Sequence, residues 1–268
     1  MAGQDKNFVL SKGRFYFEQF VETNGVYASA GKGEAYIAQT KEGKINVKSE
    51  TLDHYDADEG LNVLDEQITT KVDVTGSLMT ENITMDVISK FFLANGVTDT
   101  AITAASNLSE TFTAVPGNYY QLGKSASLPQ GARNVTAVTV ELTSAPGSAI
   151  ANANNANYEV DLVTGRLHIK SDSAVLTDGT SFVVKYSVSA GTRSIVVSKD
   201  QQIRGALRFV SANPVGGQRD FYMPLVNLSP DGDISLKGGT DWQGIGFKFT
   251  ALKLNSATER LYVDGRAV

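Results

Sequence analysis

The sequence predicts a mainly β protein with antiparallel sheets, one flanking helix and an inserted β module. Three observations carry this. The chain is rich in Val, Thr, Ser, Gly, Asn and Tyr, which form strands and turns. Apolar and polar residues alternate over long runs, giving strands with one buried and one wet face, the pattern of antiparallel sheets. Only one segment, Ile83 to Phe92, spaces its apolar residues as a helix does.

Along the chain, Ile45 and Val47 oppose Lys44, Asn46 and Lys48. Ile68, Thr70, Val72 and Val74 form one face of a second strand, with Thr69, Lys71, Asp73 and Thr75 on the other. Between these strands, Glu50 to Glu66 is acidic: Glu50, Asp53, Asp56, Asp58, Glu59, Asp65 and Glu66 occur with no Lys or Arg. Too polar for core and too long for a tight turn, this stretch reads as a functional loop.

The helix carries Ile83, Val87, Ile88, Phe91 and Phe92 on one face. Thr80 or Asn82 would cap its start and Asn95-Gly96 would stop it. Near the C-terminus Ile245, Phe247 and Phe249 alternate with Gly246, Lys248 and Thr250. The phase then changes to Leu252 and Leu254, which predicts a bulge near Ala251. Asp231-Gly232-Asp233 reads as a hairpin turn.

Residues 106–195 differ from their flanks. Turn signals (Pro116-Gly117, Pro129-Gln130-Gly131, Pro146-Gly147) and an Ala/Asn-rich run at 149–157 separate short alternating segments, as in a small β-sandwich. Tyr158–Leu162 and the run starting at Leu167 read as a hairpin with Gly165 near its turn. This stretch holds six basic and six acidic residues, so the whole formal charge of -5 lies outside it. The predicted organisation is a main domain split between 1–105 and 196–268, with an inserted module at 106–195.

Composition narrows function. With 268 residues, 41% apolar and 20% charged, the chain can bury a real core. No cysteine is present, so disulfides, cysteine zinc sites and thiol catalysis are excluded. The start Met1-Ala2-Gly3-Gln4-Asp5-Lys6 lacks the pattern of a secretory signal, and no stretch approaches a membrane span. The acidic balance is the reverse of a nucleic-acid-gripping surface.

No catalytic pattern completes. Gly25 to Gly33 resembles a phosphate loop but is one residue too long and has Gly33 where Ser or Thr is needed. His54 and His168 are the only histidines, too few for a three-His zinc site. Asp56, Asp58 and Gly60 miss the register of a calcium loop. No enzyme, cofactor or metal site is expected. Trp242, Tyr119-Tyr120 and Phe15-Tyr16-Phe17 are expected to be core or interface anchors rather than ligand stackers.

Several segments in order resemble the major tail tube proteins of long-tailed, non-contractile phages. They are Ser49 to Tyr55, Leu64 to Lys71, the helix Glu81 to Ala94, Leu207 to Pro214, Met223 to Gly232 and the inserted Asn157 to Leu167. The resemblance implies two packed antiparallel sheets flanked by a helix. It implies hexameric rings whose inner sheets join into a barrel and which stack, helped by a long loop and terminal arms.

By position, 50–66 would be the stacking loop, with Asp53, Asp56, Asp58, Glu59, Asp65 and Glu66 as its candidate contacts. Residues 1–14 and 262–268 would be the arms, and Thr69, Lys71, Asp73 and Thr75 would line the lumen. Six copies at -5 each would bring a ring to about -30, repelling DNA phosphate as it passes without specific binding. Partners would be further copies of the chain and the tape-measure, terminator and initiator proteins, in the virion tail after assembly in host cytoplasm. The alternative is a monomeric β-sandwich adhesin or carbohydrate-binding module, with Trp242 or Tyr119 in a ligand groove.

Overall fold

A computed structural model of the chain describes residues 8–56, 60, 62–238 and 241–266. The protein is mainly β with antiparallel sheets, and the described residues include a single α-helix. It divides into two compact units, Met1–Val97 with Val196–Val268, and Thr98–Ile195.

The first unit contains β1 (Gly13–Thr23), β2 (Val26–Ser29), β3 (Ala35–Ile37), β4 (Thr40–Asp56), β5 (Val63–Thr80) and α1 (Met85–Phe91). After the second unit come β14 (Ile203–Ser211), β15 (Arg219–Asp231), β16 (Ile245–Ala251) and β17 (Tyr262–Gly265). These strands make one nine-stranded sheet in the order β2-β1-β14-β15-β16-β5-β4, with β3 added to β1 and β17 to β15.

Alternation explains which faces are buried. Ile245, Phe247, Phe249 and Ala251 point inward while Gly246, Lys248 and Thr250 stay wetter. They meet Phe17, Val74, Leu78, Leu207, Met223 and Val226 in one core. The two layers expected are stretches of this one sheet, rolled so that β1 and β4, far apart in strand order, come together. A Cβ placed on Gly43 of β4 would lie 2.4 Å from the ring of Phe15 in β1. Two further glycines lie under rings in the same way, Gly13 under Phe209 and Gly76 under Phe249. Glycines covered by aromatic rings are where a sheet can bend sharply without leaving a hole.

Three expectations change here. No bulge occurs at Ala251: β15 and β16 pair in unbroken register, and the strand ends there with Leu252 N–H donating to the Leu225 carbonyl at 2.8 Å. The phase change marks the chain leaving the ladder. Asp231-Gly232-Asp233 opens a long β15–β16 connection rather than a tight turn. The helix is capped by Thr84, whose Oγ1 accepts from Val87 N–H at 3.2 Å, while Thr80 ends β5, donating its hydroxyl to the Ala38 carbonyl at 2.6 Å and accepting from Asn82 N–H at 3.2 Å. Ile83, Val87, Ile88 and Phe91 lay that helix on the core as its spacing predicted.

The second unit contains β6 (Thr98–Ile102), β7 (Ala105–Thr113), β8 (Tyr119–Gln121), β9 (Val135–Leu142), β10 (Tyr158–Asp161), β11 (Arg166–Ile169), β12 (Ser181–Val188) and β13 (Gly191–Ile195). Two three-stranded sheets, β10-β11-β8 and β7-β12-β9, share a core that includes Leu122, Val140, Leu167, Ile169, Phe182 and Val184. This is a small β-sandwich. It opens at Thr98 rather than at 106, because β6 pairs with β13 along their whole length.

Candidate functional site

The longest elements of the chain, β4 and β5, form a hairpin that outruns the sheet. β5 pairs with β16 only from Thr75 to Thr80, yet β4 and β5 stay paired outward to Asp56 and Val63. Beyond Val72 every described β5 residue is exposed, and so is every β4 residue from Asn46. The result is a two-stranded ribbon with both faces wet and, among the described residues, neither edge paired with a further strand.

The acidic stretch is therefore not a long loop. Glu50 to Asp56 and Val63 to Glu66 are strand, and only 57–62 connect them. Asp53, Asp65 and Glu66 sit on the ribbon, with Asp56 as its last paired residue. Asp58 and Glu59 lie outside the described residues. Gln67 Nε2 donates to Asp53 Oδ1 at 2.8 Å, and His54 Nδ1 lies 2.6 Å from Asp65 Oδ1. Acids that read as a free negative loop are thus partly engaged across the ladder.

Register decides the faces. Lys44↔Ser77, Asn46↔Thr75, Lys48↔Asp73 and Glu50↔Lys71 stand opposite one another on one polar face. Lys71 Nζ lies 2.6 Å from Asp73 and 3.7 Å from Glu50. The Asp73 hydrogen bond, followed by the charges of Asp73 and Glu50, raises the Lys71 pKa. The next pair is Thr51↔Thr69, so Thr70 is an extra residue on β5. This bulge moves Thr69 to the opposite face from Lys71, Asp73 and Thr75. Of the four candidate wall residues, three share a face and Thr69 does not.

The same bulge brings Ile68 into the polar row. Leu52 stands directly opposite Ile68, 65% and 56% exposed. On the other face Tyr55 opposes Leu64, also exposed. These four residues were missed as functional candidates. The available signal was the presence of Leu52, Tyr55 and Leu64 among the acids of that stretch, with Ile68 just beyond it.

The terminal segments are not free arms where they are described. Leu10 N–H donates to the Val215 carbonyl at 3.0 Å and Lys12 N–H to Asn213 Oδ1 at 2.9 Å. Tyr262–Gly265 is a strand on β15. Residues 1–7 and 267–268 lie outside the described residues. Phe15 and Phe17 are core, Tyr120 packs on the core of the second unit, and Tyr119 is exposed. Trp242 is 89% exposed on the β15–β16 connection, so of the core and interface roles expected for it the core one does not hold. Among the described residues no group of three or more His, Asp or Glu is placed to hold a metal ion. Among the described residues no helix is long and apolar enough to cross a membrane.

Fold and ribbon together define a β-rich protein with an exposed pairing element. A family model described as Protein of unknown function UCP028589 matches residues 9–256, and the chain belongs to that family. No curated protein matches the chain.

Proposed function

We infer that this chain is the repeating subunit of a phage tail tube, forming rings that stack around a DNA channel in the virion. The observation that carries the reading is the β4–β5 ribbon. An isolated two-stranded ribbon is at best marginally stable in water, and one with open edges and exposed Leu52, Ile68, Tyr55 and Leu64 invites another chain. The ends of the sheet path are β4 and β2. Pairing one copy's β4 edge with the next copy's opposite edge is a head-to-tail contact, which closes into a ring when the rotation allows. Sixfold closure, DNA passage without specific binding and tape-measure, terminator and initiator partners follow from the resemblance noted in the sequence.

In this reading the polar face of the ribbon's base lines the channel. It carries Lys44, Lys48 and Lys71 against Glu50 and Asp73, close to neutral rather than strongly acidic, with Lys71 tied to both acids. The wall would slide past DNA because most of its positive charge is compensated, Lys71 by Asp73 and Glu50 and Lys44 by Glu42, not because it is negative.

Negative-stain electron microscopy of the concentrated protein tests the proposal. Hollow tubes or rings are expected. A species that stays monomeric, alone and with tail initiator components, would overturn it in favour of a monomeric binding module.

A further inference from the structure

The outer face of the β10-β11-β8 sheet carries a groove of about 400 Å³. It belongs wholly to the second unit and does not depend on tube assembly. Two cross-strand rows build its floor. Glu159 opposes His168, which opposes Tyr119; Asp161 opposes Arg166, which opposes Gln121.

Each side chain's remaining capacity can be read from its partners. The His168 ring stacks on Tyr119 at 4.2 Å and 14°. The Arg166 guanidinium lies over the Tyr119 ring at 4.7 Å. Arg166 has no ion pair or hydrogen bond among the described residues, so its donor fork is held in place by the ring but unused. Glu159 is paired with Lys170 at 2.8 Å, and Asp161 accepts the N–H groups of Val163 and Thr164 at 3.0 and 3.1 Å. Both carboxylates keep lone pairs that can accept from hydroxyl groups. Asn155 and Thr164 add neutral polar groups to the lining.

We propose that this groove binds a single acidic sugar ring of the hexuronate class. The ligand's carboxylate would pair with Arg166 in the bidentate geometry a guanidinium favours. Its hydroxyls would donate to Glu159 and Asp161. A ligand with several carboxylates would be repelled by those two acids, and a neutral sugar would leave the Arg166 fork unfilled. Tyr119 already stacks with His168 and carries the Arg166 guanidinium over its ring, so it serves to orient Arg166 rather than to stack on sugar.

Saturation-transfer NMR on the full chain with D-glucuronate, D-glucose and acetate at millimolar concentration tests this. Glucuronate is expected to bind with a dissociation constant on the order of 1 mM, typical of so small a ligand. Arg166→Ala should weaken it at least tenfold. Arg166→Lys, which keeps charge and strand but loses the fork, should also weaken it, and Arg219→Ala on the other unit should not. No transfer to glucuronate, equal transfer to glucose or to acetate, or unchanged binding in Arg166→Ala would overturn the proposal.

Discussion

Arg266 holds Asp220 and the strand beside it at once: Nη2 lies 3.0 Å from Asp220 Oδ1 and donates to the Ser211 carbonyl at 2.7 Å. Asp220 also accepts from Ser211 N–H at 2.8 Å. The Arg266 hydrogen bond, more than any other contact, holds the Asp220 carboxyl below its usual range. A carboxyl whose folded pKa is lowered adds stability above its unfolded value of about 4, and that stability is lost as pH falls through the folded value. Arg266→Ala should therefore lower the melting temperature at pH 7, modestly because the pair is partly exposed. The gap between wild type and variant in thermal melts should close as pH drops below about 4.

Leu52 and Ile68 are exposed yet opposite one another on the ribbon. Leu52→Glu with Ile68→Glu should change the unfolding free energy of the monomer by no more than about 0.5 kcal/mol, as for other surface sites. Assembly should nevertheless be lost in sedimentation and electron microscopy. Normal tubes from this variant would remove the ribbon from the assembly mechanism.

Gly76 sits where β5 crosses under the Phe249 ring. A Cβ there would lie 2.2 Å from the Lys44 carbonyl oxygen and 2.3 Å from Phe249 Cζ. Gly76→Ala should destabilise by about 2 kcal/mol or more through overpacking. Urea unfolding should show a lower midpoint with an unchanged slope.

Ile102 and Gly191 are directly paired at one end of the β6–β13 ribbon, with the rest of the second unit between them in sequence. Replacing residues 103–190 with Asn-Gly, which suits a two-residue hairpin, should leave a soluble first unit with its own cooperative melt. Loss of soluble fold would show that the first unit needs the insert.

Much of the fold was legible because burial wrote it into the sequence. Ile245, Phe247 and Phe249 alternate because one face is core, and Tyr158–Asp161 pairs with Arg166–Ile169 around a turn that Gly165 makes possible. The outer half of the β4–β5 ribbon was illegible for the opposite reason. With both faces wet, Asp53, Asp56 and Asp65 face no burial penalty, and acidic residues argue against strand. Their strand state comes from a ladder that starts in the core and continues outward. The Thr70 bulge, which shifts the candidate wall by one residue, leaves no mark in a repeating apolar-polar pattern. The strand Tyr262–Gly265 is short and depends on a distant clamp, Arg266 to Asp220 and Ser211, that no local window contains.

The split of the first unit sets an order of events during synthesis. Nine of the thirteen buried residues of its core, from Ile203 to Ala251, are made after the second unit is complete. Until then Phe15 and Phe17 have no β14 to pair with, because their partners Phe209 and Leu207 lie nearly two hundred residues downstream. The contiguous stretch Thr98–Ile195 holds its own core and can close on emergence. The β4–β5 hairpin is local and can form early as well. The ribbon is thus complete in sequence before the sheet that anchors it, and its open edges stay unsupported until the last strands arrive.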